Sequence, residues 1–150
     1  MPVVSVSVSQ TIHAPAATVY GIIADYDFGH PSILPPQYFG KLEVLAGGRG
    51  AGTRIRFEMK AFGGTTVGVA DITEPIPGRE LRETLSDGIV TTFVVEPVDR
   101  NAALVTISTL YQKRGLRGWL EKMVAPQFLR RVYTEELAEL NRVANGQRGS

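Results

Sequence analysis

The sequence predicts an α+β fold: a seven-stranded curved antiparallel sheet gripping a long C-terminal helix, with two short helices between strands 1 and 2. Three observations predict it. Residues 115–145 place Leu116, Trp119, Leu120, Met123, Val124, Phe128, Leu129, Val132, Leu137, Leu140 and Val143 at three-and-four spacing, one apolar helical stripe with Arg, Lys and Glu opposite. Most of the chain before it alternates apolar and polar residues, the period of half-buried strands. The breaks between those runs are short and rich in Gly and Pro, which joins consecutive strands antiparallel and segregates the helices to one side. A helix over 115–145 is about 45 Å long. It is too polar to cross a bilayer and its stripe is too broad for a coiled-coil seam, so the sheet is its partner.

Strand 1 covers residues 3–12, with Val4, Val6, Val8, Gln10 and Ile12 on one face and serines and Thr11 on the other. His13-Ala14-Pro15 ends it, and Pro15 suits the start of a helix whose apolar face is Val19, Ile22, Ile23 and Tyr26. Residues 27–37 hold Pro31, Pro35 and Pro36, which leaves room for only a short helix or turn. Strands follow at 41–46, 53–62, 65–73, 79–85, 88–95 and 102–111. Ile55, Phe57 and Met59 share one face of the third, and Gly63-Gly64 is a tight turn after it. In 65–73 the face stays open, since Val67 and Val69 compete with Ala70 and Ile72. Leu81/Leu85, Thr91/Phe93/Val95 and Val105/Ile107/Thr109/Tyr111 are the inward sets of the last three. Pro126 kinks the terminal helix or begins a new segment of it. One domain over residues 1–145 and a frayed tail over 146–150 are expected.

The 150 residues suffice for one sizeable core, and 43% hydrophobic with 21% charged residues is ordinary for a globular chain. Without cysteine there is no disulfide, thiolate metal site or cysteine nucleophile. No signal peptide and no membrane span are expected, and a cytoplasmic location is. The net charge of +1 divides unevenly, with eight basic and eleven acidic residues up to Gln112, then eight basic and four acidic. The basic residues of the terminal helix are interleaved with Glu121, Glu135, Glu136 and Glu139, too mild a pattern for nucleic acid. Two histidines, His13 and His30, are too few for a metal centre, and neither metal nor other cofactor is expected. The oligomeric state is left open.

A seven-stranded antiparallel sheet curls as it twists, and one helix cannot fill the resulting trough. The inward set is modest in size, which points to a pocket between helix and sheet. The order of several short patterns adds to this: strand 1 followed by Ile12-His13-Ala14-Pro15-Ala16-Ala17-Thr18-Val19-Tyr20, the pair Asp25-Tyr26, the glycine-rich stretch 47–53, Phe93-Val94-Val95-Glu96-Pro97-Val98, and Gly115-Leu116-Arg117-Gly118-Trp119-Leu120. In that order the chain resembles the START-like helix-grip superfamily, which includes the birch-pollen-allergen-like proteins, and within it the bacterial polyketide cyclase/dehydratase-like branch. The resemblance spans about residues 3–144. It implies a hydrophobic cavity between sheet and terminal helix, and no shared catalytic set.

Ten residues are candidates to line a ligand site: Tyr26, Tyr38, Phe57, Met59, Phe93, Ile107, Thr109, Tyr111, Trp119 and Met123, aromatics and hydroxyls in apolar surroundings that read equally as plain core. Glu83, His30 and Tyr111 are the candidates for acid–base work. Glu83 shares parity with Leu81 and Leu85 and points inward with them, unless a phase shift in this short strand puts Glu80 and Glu83 in solvent. His30, in the proline-rich segment, is read as a surface loop residue ahead of a ligand-facing one, and His13 as solvated. The glycine stretch 47–53 lacks the lysine and following helix of a phosphate loop; it is read as a flexible hairpin turn at the cavity rim, or as an anion nest using Arg49. Lys113, Arg114, Arg117, Lys122, Arg130 and Arg131 form a solvated helix face or attract an anionic ligand or membrane surface. The leading functional expectation is binding of an apolar small molecule or lipid. The alternative is a polyketide cyclase/dehydratase-type enzyme with one poised acid or base in the same cavity.

Overall fold

The computed structural model describes residues 3–112 and 123–149, with side chains as far as Gly146. Its elements in chain order are β1 (Val3–Ile12), α1 (Ala16–Ala24), α2 (Gly29–Ile33), β2 (Phe39–Ala46), β3 (Arg54–Ala61), β4 (Gly64–Ile76), β5 (Glu80–Leu85), β6 (Val90–Asp99), β7 (Ala102–Gln112) and α3 (Pro126–Gly149). The strands form one antiparallel sheet in the order β1-β7-β6-β5-β4-β3-β2. The first strand returns to pair with the last, Val3 opposite Gln112 and Ile12 opposite Ala103. That register sets Val6 against Thr109 and Val8 against Ile107, so the inward faces of β1 and β7 are continuous.

The face of β4 that the sequence leaves open is settled by burial: Ala70 and Ile72 are buried while Val67 is exposed. The helix over 115–145 is described from Pro126 on. Pro126 opens α3, where a missing N–H costs nothing because the first turn has no acceptors to offer. The part of the expected helix at 115–122, with Trp119, lies outside the described residues. At the other end α3 runs on through Gly149, into the stretch expected to fray. α3 packs along β1 and touches α1 and α2. Its inner face is Leu129, Val132, Tyr133, Glu136, Leu137, Leu140 and Ala144. Among the described residues no helix is long and apolar enough to cross a membrane.

The glycine stretch corrects the reading of a flexible rim turn. Gly47, Gly48, Gly50 and Gly52 all have positive φ, which lets the loop fold tightly onto the junction of α1 and α2. There Tyr26 N–H donates to Gly48 O at 2.8 Å and Gly50 N–H donates to Ala24 O at 2.9 Å. Arg49 pairs with Asp25 at 3.6 Å. Asp25 in turn accepts from the backbone N–H of Asp27, Phe28 and Gly29, ordering the entry to α2. The loop is a clasp, and none of its residues lines the cavity described below.

Leu137 is fully buried at the centre of the α3 stripe. Leu137→Ala is expected to cost about 2–5 kcal/mol of stability, read from urea denaturation midpoints with an unchanged slope. A change near zero would place the packing seam elsewhere on α3.

Candidate functional site

Between the concave face of the sheet and α3 lies a cavity of ≈ 290 Å³. β2 contributes Phe39 and Leu42, β3 Ile55, Phe57 and Met59, and β4 Thr66, Val67 and Gly68. Glu83 and Leu85 come from β5, Thr91 and Phe93 from β6, Thr109 from β7, and Asp87 and Ile89 from the β5–β6 turn. The helical side supplies His30, Leu34, Leu129, Tyr133 and Glu136, with Met123 and Val124 just ahead of α3. The space exists because small residues face large ones across the pairing. Phe57 stands opposite Gly68, and a Cβ on Gly68 would sit 2.6 Å from the tip of the Phe57 ring. The ring therefore lies over its neighbour's backbone and leaves the centre of the trough unfilled.

One end of the cavity is polar. The Tyr26 hydroxyl donates to Glu83 Oε2 at 2.6 Å, and His30 Nε2 stands 3.5 Å from the same oxygen. The Tyr26 and His30 rings stack at 4.4 Å, and Phe93 meets His30 edge-on at 5.4 Å. His30 Nδ1 lies 2.7 Å from the Ile23 carbonyl, which can only accept, so Nδ1 carries a hydrogen. Nε2 then faces the Glu83 carboxyl oxygen that the Tyr26 hydroxyl also holds, so the three side chains meet at one point. Burial, followed by the Glu83 carboxyl, raises the Tyr26 hydroxyl far above the ordinary tyrosine range, so it stays a donor.

Glu136 stands apart from this network. It is 2% exposed, lines the cavity, and has no hydrogen bond or ion pair among the described residues. Burial, and secondly the Glu83 carboxyl, push its carboxyl well above the usual carboxylate range. Beside it Thr91 Oγ1 and Thr109 Oγ1 share a hydrogen bond of 2.8 Å, and Thr109 bonds the Tyr133 hydroxyl.

Of the sequence candidates, the structure brings Phe57, Met59, Phe93, Thr109, Met123, Glu83 and His30 together around the cavity. His30 is buried, which corrects its reading as a surface loop residue: stacking on Tyr26 and the bond to Ile23 O draw it inward. Tyr26 lies behind Glu83, Ile107 lies in the core, and neither lines the space. Tyr111 also lies off the lining, its hydroxyl donating to Val124 O at 2.5 Å. Tyr38 is bonded to Glu135 at 2.5 Å and packs against Phe128 on the outside. Trp119, Lys113, Arg114, Arg117 and Lys122 lie outside the described residues, while Arg130 and Arg131 are exposed. Sequence reasoning missed Tyr133 and Glu136, and placed Glu136 on the charged face of the helix. The signal was present: Tyr133 falls four residues from Leu129 and Leu137, and Glu136 four from Val132 and Leu140, inside the stripe. Among the described residues no group of His, Asp and Glu is placed to hold a metal ion.

The sequence profile of the family described as polyketide cyclase / dehydrase and lipid transport matches residues 3–145. The chain belongs to that family. The fold agrees with solved structures of similar proteins. KanY is 28% identical over 97% of this chain and 99% of its own, with a TM-score of 0.82. A Thermus thermophilus protein is 19% identical over 96% and 99%, with a TM-score of 0.75. The Zhui aromatase/cyclase of Streptomyces sp. R1128 is 18% identical over 97% and 93%, with a TM-score of 0.69. No curated protein matches the sequence.

Glu136 also sets a pH dependence. Its carboxyl is held protonated in the folded chain above the ordinary value of 4.5, so the unfolded chain binds fewer protons there. Its contribution to stability is therefore greatest at low pH and declines as pH rises above about 4.5. Glu136→Gln removes that slope. Thermal melts of both proteins between about pH 4 and pH 8 are expected to separate progressively in favour of the variant. Parallel curves would show that Glu136 ionises freely in the fold.

Proposed function

We propose that the protein binds a hydrophobic small molecule or lipid in the cavity between sheet and α3. The observation that carries this reading is the cavity itself, walled by Phe39, Leu42, Phe57, Met59, Leu85 and Phe93 and left unfilled by the described side chains. Its ≈ 290 Å³ is about twice the ~150 Å³ of an apolar cavity that takes up benzene, which matches a molecule of roughly two fused rings or a short chain. Family membership supports the same reading, since the family's description includes lipid transport. Affinity here rests on the apolar wall. Enclosing an apolar side-chain-sized surface contributes about 1.5–3 kcal/mol, against about 0.5–1.5 for a neutral hydrogen bond.

A second reading, a cyclase or dehydratase, is supported by the approach of Glu83 and His30 beside the cavity, since a carboxyl and an imidazole are the side chains general acid–base chemistry uses. The Zhui protein's name adds nothing to it at 18% identity beyond the fold. Under this reading Glu83→Gln lowers turnover of a polyketide-like substrate by about 10²–10⁴ with affinity far less affected.

Binding of a naphthyl alcohol, followed by calorimetry, tests the first reading. Gly68→Val is expected to push the Phe57 ring into the cavity and weaken binding at least about tenfold, and Phe93→Ala to weaken it by removing wall contact. Unchanged affinity in both variants would place the ligand elsewhere.

A further inference from the structure

The lining of the cavity is acidic as well as apolar. Among the described residues it holds three carboxyls, Glu83, Asp87 and Glu136, and no lysine or arginine. The three are not equivalent. Asp87 is exposed at the β5–β6 turn and meets water. Glu83 has a donor in Tyr26, and any charge on His30 is answered by Glu83 at 3.5 Å. Glu136 alone is buried without a partner while bordering the empty space.

We infer that the ligand is an apolar molecule carrying one basic nitrogen, and that its ammonium group is received by Glu136. This rests on the binding reading above and narrows it. A buried polar group without a partner is among the most costly features a fold can carry, and a donor from the ligand removes that cost. A hydroxyl on the ligand could also donate. The ammonium is favoured over it for two reasons. Charge-assisted hydrogen bonds are roughly twice as strong as neutral ones. Burial first, and the Glu83 carboxyl second, oppose ionisation of Glu136, and a cation placed beside it offsets both. A fatty-acid or phosphate headgroup meets the opposite situation, like charges and no described cation to receive it. Three hydroxyls that line the same cavity are already engaged with one another. Tyr133, Thr109 and Thr91 are hydrogen-bonded in series, with the Tyr133 hydroxyl held protonated by burial.

The test uses three probes of one shape, naphthylmethylamine, naphthylmethanol and naphthoic acid, titrated calorimetrically into the full chain at neutral pH. The amine is expected to bind at least tenfold tighter than the alcohol, and the acid weakest. In Glu136→Gln, and in Glu136→Leu as a variant that keeps the volume without a polar group, the ratio of amine to alcohol affinity is expected to fall to near one. An alcohol or acid that binds the wild type as tightly as the amine overturns the inference while leaving the binding reading in place. A preference for the amine that survives both substitutions overturns the assignment to Glu136. Failure of all three probes to bind removes the binding reading itself, and this inference with it.

Discussion

The contact on which the rest of the structure turns is the hydrogen bond from the Tyr26 hydroxyl to Glu83. Tyr26 sits at the corner between α1 and α2, and Glu83 on β5, the central strand of the seven. The bond therefore ties the helical corner to the middle of the sheet instead of to an edge. His30 strengthens it by stacking on Tyr26 and approaching the same carboxyl oxygen. Pulling the corner away would strip a part-buried carboxyl of its donor and of the nearby imidazole, a loss larger than that of an ordinary surface contact. The corner is fixed from behind by the Asp25 cap and the glycine clasp. Polar chemistry thus defines one end of a space whose walls are apolar.

That space is too large to be ordinary packing slack. Protein interiors close to crystal-like density, and the voids they keep are few and small. A space of ≈ 290 Å³ stands well outside that range. The chain leaves it open through particular small residues on inward positions: Gly68 beneath Phe57, and Thr91 and Thr109 where β6 meets β7. Larger side chains at these three places would close it. An occupant that restores the missing contacts explains the arrangement better than a packed scaffold does.

The fold was legible in the sequence because it follows from periodicity and turn chemistry alone. Alternation gave the strands, Gly and Pro gave the breaks, and the stripe gave the terminal helix with its buried Leu129, Val132, Leu137 and Leu140. The site was legible only where parity decides it. Glu83 follows Leu81 and Leu85 inward, and Phe57 and Met59 follow Ile55. What escaped depends on tertiary contact. His30 looks like a loop residue until Tyr26 stacks on it, and Tyr111 looks like a pocket hydroxyl until Val124 accepts its hydrogen. The glycine stretch has the composition of a mobile turn, and only its docking on Ala24 and Tyr26 makes it a clasp. Glu136 was hidden by its own charge: residue type argued for the solvated face, while position argued for the core.

Position won, and the consequence reaches function. Glu83 and Glu136 border one cavity with opposite provisions: the first has a donor built in, and the second has none among the described residues. If α3 needed only to seal the trough, a leucine at 136 would do so without the desolvation cost, since the neighbouring inward positions 129, 137 and 140 are already leucine. A carboxyl at that point carries a desolvation cost that a leucine would not. The same reasoning separates the roles of the two groups. Glu83, tied to Tyr26 and beside His30, holds the architecture of the cavity's polar end, whereas Glu136 borders the same space with no partner among the described residues.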